Sequence, residues 1–132
     1  MKATDIMTED PMTAQVTARV REVIDILHTL EIRHLPILQE DGTMIGMISD
    51  RDLRNLPTGP EGAGIMDAPI TTLMTGDVIS ASPESDVEEL VDIMLENKVG
   101  AVPVLDDETS DLVGIVSYVD ILRSVRGLLR NA

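Results

Sequence analysis

Two short stretches carry the residues best suited to chemistry: Ser49-Asp50-Arg51-Asp52 and Ser117-Tyr118-Val119-Asp120. Each follows a glycine and an apolar pair, Gly46-Met47-Ile48 in one case and Gly114-Ile115-Val116 in the other. The apolar run reads as a strand, and the serine marks where it ends and a helix begins. A serine at that junction caps the helix through its side-chain oxygen. First-turn amides and the helix dipole then face outward and favour an anion such as phosphate. The aspartate three positions on lies one turn into the helix, at the same mouth. Taken singly, each aspartate is equally a first-turn acid that offsets the dipole, and each serine equally a plain cap. The double occurrence in one context favours a binding role.

The elements that position these residues are themselves doubled. A shift of 67 residues places Ile6-Met7-Thr8 on Leu73-Met74-Thr75 and Thr13-Ala14 on Ser80-Ala81. It also places Val20, Val23, Ile24 and Leu27 on Val87, Leu90, Val91 and Met94, and Leu35-Pro36-Ile37 on Val102-Pro103-Val104. One extra residue in the second turn moves the shift to 68, and Gly46, Ser49 and Asp52 then fall on Gly114, Ser117 and Asp120. The expected organisation is a first unit over 1–55, a linker over 56–71 rich in Gly and Pro, and a second unit over 72–132.

Within the first unit the pattern predicts an extended lead at Asp5-Ile6-Met7, a short strand over Met12–Val16 and a helix over Val20–Leu30. A strand over Leu35–Leu38 follows, with Pro36 expected at its start or on an edge because proline cannot donate to a ladder. Glu40-Asp41-Gly42 reads as a turn into a strand over Met44–Ser49, and a helix opens over Asp50–Asn55. The second unit repeats the plan. It has a strand over Val78–Ser82, a helix to about Asn97 opened by a Ser85/Glu88 capping box, strands over Ala101–Leu105 and Leu112–Ser117, and a closing helix from Tyr118 to about Leu129. Each unit alone is too small to hide both faces of its sheet. The fold class expected is α+β: two β-α-β-β-α units packed sheet to sheet about a pseudo-twofold axis, with two equivalent clefts at the join.

Composition bounds the chemistry. Of 132 residues 43% are hydrophobic, yet there is no Phe or Trp and a single Tyr, so the core is aliphatic, with eight Met as filler. The formal charge of −14 repels nucleic acid and anionic membranes. The chain has no Cys, and no apolar run reaches spanning length. The expected setting is cytoplasmic and soluble. His28 has no partner at metal-ligand spacing, and the acids Asp106, Asp107, Glu108 and Asp111 form no EF-hand pattern. No nucleophile–base–orienter set appears, so neither a metal site nor an enzyme is expected.

The strand–helix–strand–strand–helix order, with X-Pro-apolar followed by Gly-apolar-apolar-Ser-x-x-Asp, resembles a cystathionine-β-synthase (CBS) domain. Two in tandem resemble a Bateman module. The resemblance runs from about Thr4 to Leu129. It implies a regulatory module that binds AMP, ADP, ATP or S-adenosylmethionine and modulates a partner protein, and modules of this kind pair as homodimers. It implies that Asp52 and Asp120 accept ribose hydroxyls, that Ser49 and Ser117 approach a phosphate, and that Met47 and Ile115 line an adenine slot. By the same resemblance Arg33-His34 and Gly100-Ala101 face the ligand, and Thr13 and Ser80 lie near the cleft. The chemistry agrees, since a carboxylate suits a vicinal diol and the guanidinium forks of Arg33 and Arg51 suit phosphate. At the positions of Arg33, His34 and Arg51 the second unit has Gly100, Ala101 and Val119. The alternative is an interaction module with vestigial clefts, dimerising through the aliphatic helix faces at Val20–Leu30 and Val87–Leu95.

Overall fold

The computed structural model describes residues 1–57 and 59–132. Its elements are α1 (Ala3–Ile6), β1 (Thr8–Glu9), β2 (Ala14–Gln15), α2 (Val20–Leu30), β3 (His34–Leu38), β4 (Met44–Ser49) and α3 (Asp50–Arg54), then three short 3-10 turns, then α4 (Val87–Asn97), β5 (Ala101–Leu105), β6 (Leu112–Ser117) and α5 (Tyr118–Arg130). The chain divides into a central unit, Met12–Val78, and a terminal unit made of Met1–Pro11 with Ile79–Ala132.

In the central unit, apolar residues recur at helical spacing along α2 and put Val20, Val23 and Leu27 on its buried face. The helix ends at Glu31, which adopts a left-handed conformation and turns the chain into β3. The sheet runs in the order β2-β3-β4, with β2 parallel and β4 antiparallel to β3. Pro36 is buried in the middle strand and pairs with Met47, contrary to the expectation of an edge or a strand start. Two features remove the need for its missing N–H. The β2 ladder meets only Ile37 and Leu38, and Met47 turns both its backbone N–H and its C=O to Thr75. The core joins Val20, Val23, Leu35, Ile37 and Ile48 with Ile70, all fully buried. At about 1.5–3 kcal/mol for each large aliphatic side chain, this cluster is the main source of the unit's cohesion. Ile70 lies in the stretch expected as linker, where the short turns Gly59–Gly62, Ile65–Asp67 and Ile70–Thr72 are found. Thr58, within that stretch, lies outside the described residues.

In the terminal unit the sheet order is β1-β6-β5, all antiparallel. Its core is smaller: Ala3, Leu90, Val102, Val104 and Val116 are fully buried, with Met94 beside them. The N-terminal lead is helical rather than extended over Ala3–Ile6. Its turn is closed by the Met7 N–H on the Ala3 carbonyl at 2.8 Å, and the Ala3 N–H is tied to the Ser85 carbonyl at 2.8 Å. The strand expected over Val78–Ser82 is reduced to one bridge, Ala81 with Val104. Asp86, not Ser85, holds the N-cap position of α4. The Ser85 hydroxyl instead accepts from the Ser82 N–H at 3.0 Å, so the expected capping box does not form.

Each repeat therefore lends its opening segment to the hairpin of the other. Thr8 pairs with Ile115, and Thr75 pairs with Met47. This crossing explains the glycines. A Cβ on Gly46 would stand 2.8 Å from the Thr75 carbonyl and 2.7 Å from the Met74 sulfur, and one on Gly114 would collide with the Met7 side chain. The interface expected from α2 is unavailable, because its aliphatic face is the core of the central unit. On α4, Leu90 and Met94 are likewise buried, and only Leu95 stands out.

Candidate functional site

The β4–α3 junction assembles most of the residues singled out in the first repeat. His34, the first residue of β3, lies in register opposite Ser49, the last of β4. The Asp50 N–H donates to the Arg33 carbonyl at 3.2 Å, which locks the approach to β3 against the start of α3. Ser49 donates to Asp52 Oδ2 twice, from its backbone N–H at 2.8 Å and from its hydroxyl at 3.1 Å. The Thr75 hydroxyl donates to Asp52 Oδ1 at 3.0 Å. Arg33 Nε stands 3.9 Å from Asp50 Oδ2, with both side chains largely exposed. Arg51 is exposed in the first turn of α3, and Met47 is buried two residue pairs behind His34 and Ser49. Thr13 is half-buried just ahead of β2.

His34 is mostly withdrawn from water, and this burial pushes its imidazole below the usual 6.5. Asp50 and Asp52 pull the other way, and Arg33 adds to the lowering. At neutral pH the ring is uncharged, with both a donor and an acceptor nitrogen.

The β6–α5 junction repeats the backbone plan with other side chains. Ala101 lies in register opposite Ser117, and the Tyr118 N–H donates to the Gly100 carbonyl at 3.0 Å. Ser117 donates to Asp120 Oδ2 from its N–H at 2.8 Å and its hydroxyl at 3.1 Å, and its Oγ accepts from the Asp120 N–H at 3.3 Å. That is a reciprocal cap. Asp120 is 7% exposed, and its Oδ1 lies 3.8 Å from Arg123 on the next turn. Ile115 is half-buried and Ala101 buried, whereas Ser80 is exposed on the segment before the Ala81 bridge.

Each predicted set is thus held within one unit: Thr13, Arg33, His34, Met47, Ser49, Arg51 and Asp52 in the central unit, Ser80, Gly100, Ala101, Ile115, Ser117 and Asp120 in the terminal one. The carboxylates do two jobs. One oxygen of each returns the cap, which satisfies the N-cap serine, and the lone pairs that remain are available to hydroxyl donors. Thr75 is the residue that reading along the chain missed. Its signal was the repeated Met-Thr pair, Met7-Thr8 and Met74-Thr75, which looked like part of a lead. The anion site expected at the helix starts is weak on both sides. α3 has five residues, too few for a substantial dipole, and at α5 the Tyr118 and Asp120 amides are spent on Gly100 and Ser117. Among the described residues no group of three or more His, Asp or Glu is placed to hold a metal ion, and no helix is long and apolar enough to cross a membrane.

The profile of the CBS domain matches residues 3–59 and again residues 70–127. Inosine-5'-monophosphate dehydrogenase of Methanocaldococcus jannaschii is 29% identical over 122 residues, covering 92% of this chain and 23% of that protein. The chain thus spans under a quarter of that enzyme's length. CBS domain-containing protein YhcV of Bacillus subtilis is 26% identical over 119 residues, 89% of this chain and 80% of that protein. Among solved structures, the CBS domain pair of protein MJ0100, in complex with 5'-methylthioadenosine and S-adenosyl-L-methionine, has a TM-score of 0.82 at 30% identity, covering 96% of this chain and 97% of that one.

Proposed function

This chain belongs to the CBS domain family, of which it carries two copies in tandem, and from that premise we propose that it is a regulatory module sensing adenosine-containing ligands and acting on a partner protein rather than catalysing a reaction. The observation that carries this reading is the doubled strand-to-helix junction with Ser-x-x-Asp. Both carboxylates are fixed by their own serine, with Asp52 Oδ1 facing the hydroxyl of Thr75 and Asp120 Oδ1 facing Arg123. An oxygen already oriented toward a hydroxyl is a ready acceptor for ribose. In this reading Asp52 and Asp120 hold the ribose, Ser49 and Ser117 stand by the ligand's 5' group, a phosphate in the case of AMP, and Met47 and Ile115 receive adenine against aliphatic surface. Arg33, His34, Arg51, Gly100 and Ala101 line the approach, and Thr13 and Ser80 complete it. AMP, ADP, ATP and S-adenosylmethionine are the candidate ligands, and the protein MJ0100 pair bound to the last of these supports the class. Signalling requires only that the ligand favour one arrangement of the module over another. The cytoplasmic setting expected from a cysteine-free chain belongs to the same proposal.

The test is a melting scan with AMP, ATP and S-adenosylmethionine. Ligand at 100 times its dissociation constant adds about 2.7 kcal/mol to stability. An unchanged melting temperature with all three at millimolar concentration overturns the reading.

One observation favours a second role alongside the first. Tyr118, Leu122, Val125 and Leu129 recur along α5 on one stripe, and Leu122 and Leu129 are 60% and 68% exposed. Arg123, Arg126 and Arg130 flank that stripe. In this proposal a second copy of the chain covers it, giving a homodimer that forms with or without ligand. Sedimentation of Leu122→Glu with Leu129→Glu checks it: a monomer is expected, and an unchanged dimer rules α5 out.

A further inference from the structure

Resting on the adenosine reading above, we propose that the two junctions divide ligands by charge: the central unit takes a 5'-phosphorylated adenosine, and the terminal unit takes a phosphate-free one. The backbone frames match, so the difference lies in the side chains each frame presents. In the central frame the residue opposite the capping serine is His34, the residue whose carbonyl ties down the helix start is Arg33, and the second helical residue is Arg51. In the terminal frame the same three places hold Ala101, Gly100 and Val119.

Arg33 Nε stands 3.9 Å from Asp50 Oδ2, and both side chains are largely exposed. A pair that long and that hydrated contributes little, so Asp50 competes weakly with a phosphate for the guanidinium. A guanidinium offers a phosphate two parallel donors. His34 adds a third nitrogen donor from the strand side. It faces Asp50 and Asp52 on α3 and Arg33 on its own strand approach.

The terminal frame has a base of its own, Arg123, and its position decides the matter. It lies one turn along α5 and points its Nη1 at Asp120 Oδ1. That carboxylate is buried and already returns the cap, so moving Arg123 to a phosphate would leave an acid in poor solvent without its counter-charge. A phosphate there would meet Asp120 with no other base at the frame, in a chain of formal charge −14. A neutral or cationic 5' substituent meets no such opposition. Val119, 38% exposed where the other frame has Arg51, offers it apolar contact instead.

Calorimetric titration of the full chain with AMP and with 5'-methylthioadenosine tests the division. Asp52→Asn and Asp120→Asn each disable one ribose acceptor while keeping a cap oxygen. In Asp120→Asn, which leaves the central frame, AMP is expected to bind at least about tenfold tighter than 5'-methylthioadenosine. In Asp52→Asn the preference is expected to vanish or reverse. Arg33→Ala with His34→Ala, made in the unmodified chain and in Asp120→Asn, is expected to remove tight AMP binding and leave 5'-methylthioadenosine binding in place. Should either Asn variant fail to fold by circular dichroism, the Arg33→Ala/His34→Ala pair in the unmodified chain decides alone. Equal selectivity of the two frames, or AMP binding indifferent to Arg33 and His34, overturns the division and leaves the adenosine reading standing. Binding of neither ligand to the unmodified chain overturns both.

Discussion

The same seven-residue pattern, Gly-x-x-Ser-x-x-Asp, ends β4 in the central unit and β6 in the terminal unit, and the two outcomes differ. At β4 it opens a helix of five residues, its aspartate is half-buried, and that aspartate takes a threonine hydroxyl from the crossing segment. At β6 it opens a helix of 13 residues, its aspartate is nearly sealed, and an arginine of the same helix is its neighbour. The shared part is the cap, which depends only on local geometry. The divergent part is whatever the rest of each unit presses against that cap. The lesson is that a repeated motif fixes the frame of a site, and its surroundings fix what the site prefers.

The largest effect that would break this comparison is expected at the glycines. Gly46→Val puts a branched side chain against the Thr75 carbonyl, a backbone atom with little room to yield. It should lower stability in urea titration by about 3 kcal/mol. Gly114→Val meets the Met7 side chain and the Thr8 carbonyl, the latter at 3.0 Å rather than 2.8 Å, and should cost less, about 2 kcal/mol. Equal losses would mean that the two crossings are equally rigid.

Next come the aspartates. Asp120→Ala removes a buried carboxylate and leaves the part-buried Ser117 N–H and hydroxyl without their acceptor, a loss of about 2 kcal/mol by the same titration. Asp52→Ala, at a half-buried site, should cost about 1 kcal/mol. A reversed order would show that burial is not what separates the two caps.

The smallest effect is one of pH, and it is confined to the central unit. Burial holds His34 below its ordinary 6.5, so its folded-state pKa lies under its unfolded one. The stability it secures is present above 6.5 and is lost as pH falls through the folded value, because the folded chain resists the proton that the unfolded chain accepts. Denaturation midpoints below pH 6.5 should therefore fall less steeply in His34→Ala than in the unmodified chain. Identical slopes would mean that the imidazole is not set apart from water as its position implies.

Much of the fold was legible along the chain. The helix over Val20–Leu30 and the strands over Met44–Ser49, Ala101–Leu105 and Leu112–Ser117 follow their periodicity to the residue. The failures share a cause. The lead at Asp5-Ile6-Met7, the strand over Val78–Ser82 and the placing of Pro36 each depend on which segment lies alongside, and for the lead and for Met47, the partner of Pro36, that segment belongs to the other repeat. Thr75 was overlooked for the same reason. It is 23 residues from Asp52, and nothing local connects them.

By itself the sequence determined that one unit is written twice, and that each copy ends a strand on a serine and begins a helix with an aspartate, because caps and periodicity act over three or four neighbours. Only the tertiary structure decided that the opening segment of each copy lies across the hairpin of the other, that Gly46 and Gly114 must be bare to admit it, and that the Thr75 hydroxyl reaches Asp52. Those outcomes arise from close packing between segments far apart in the chain, where a single added carbon atom already has no room.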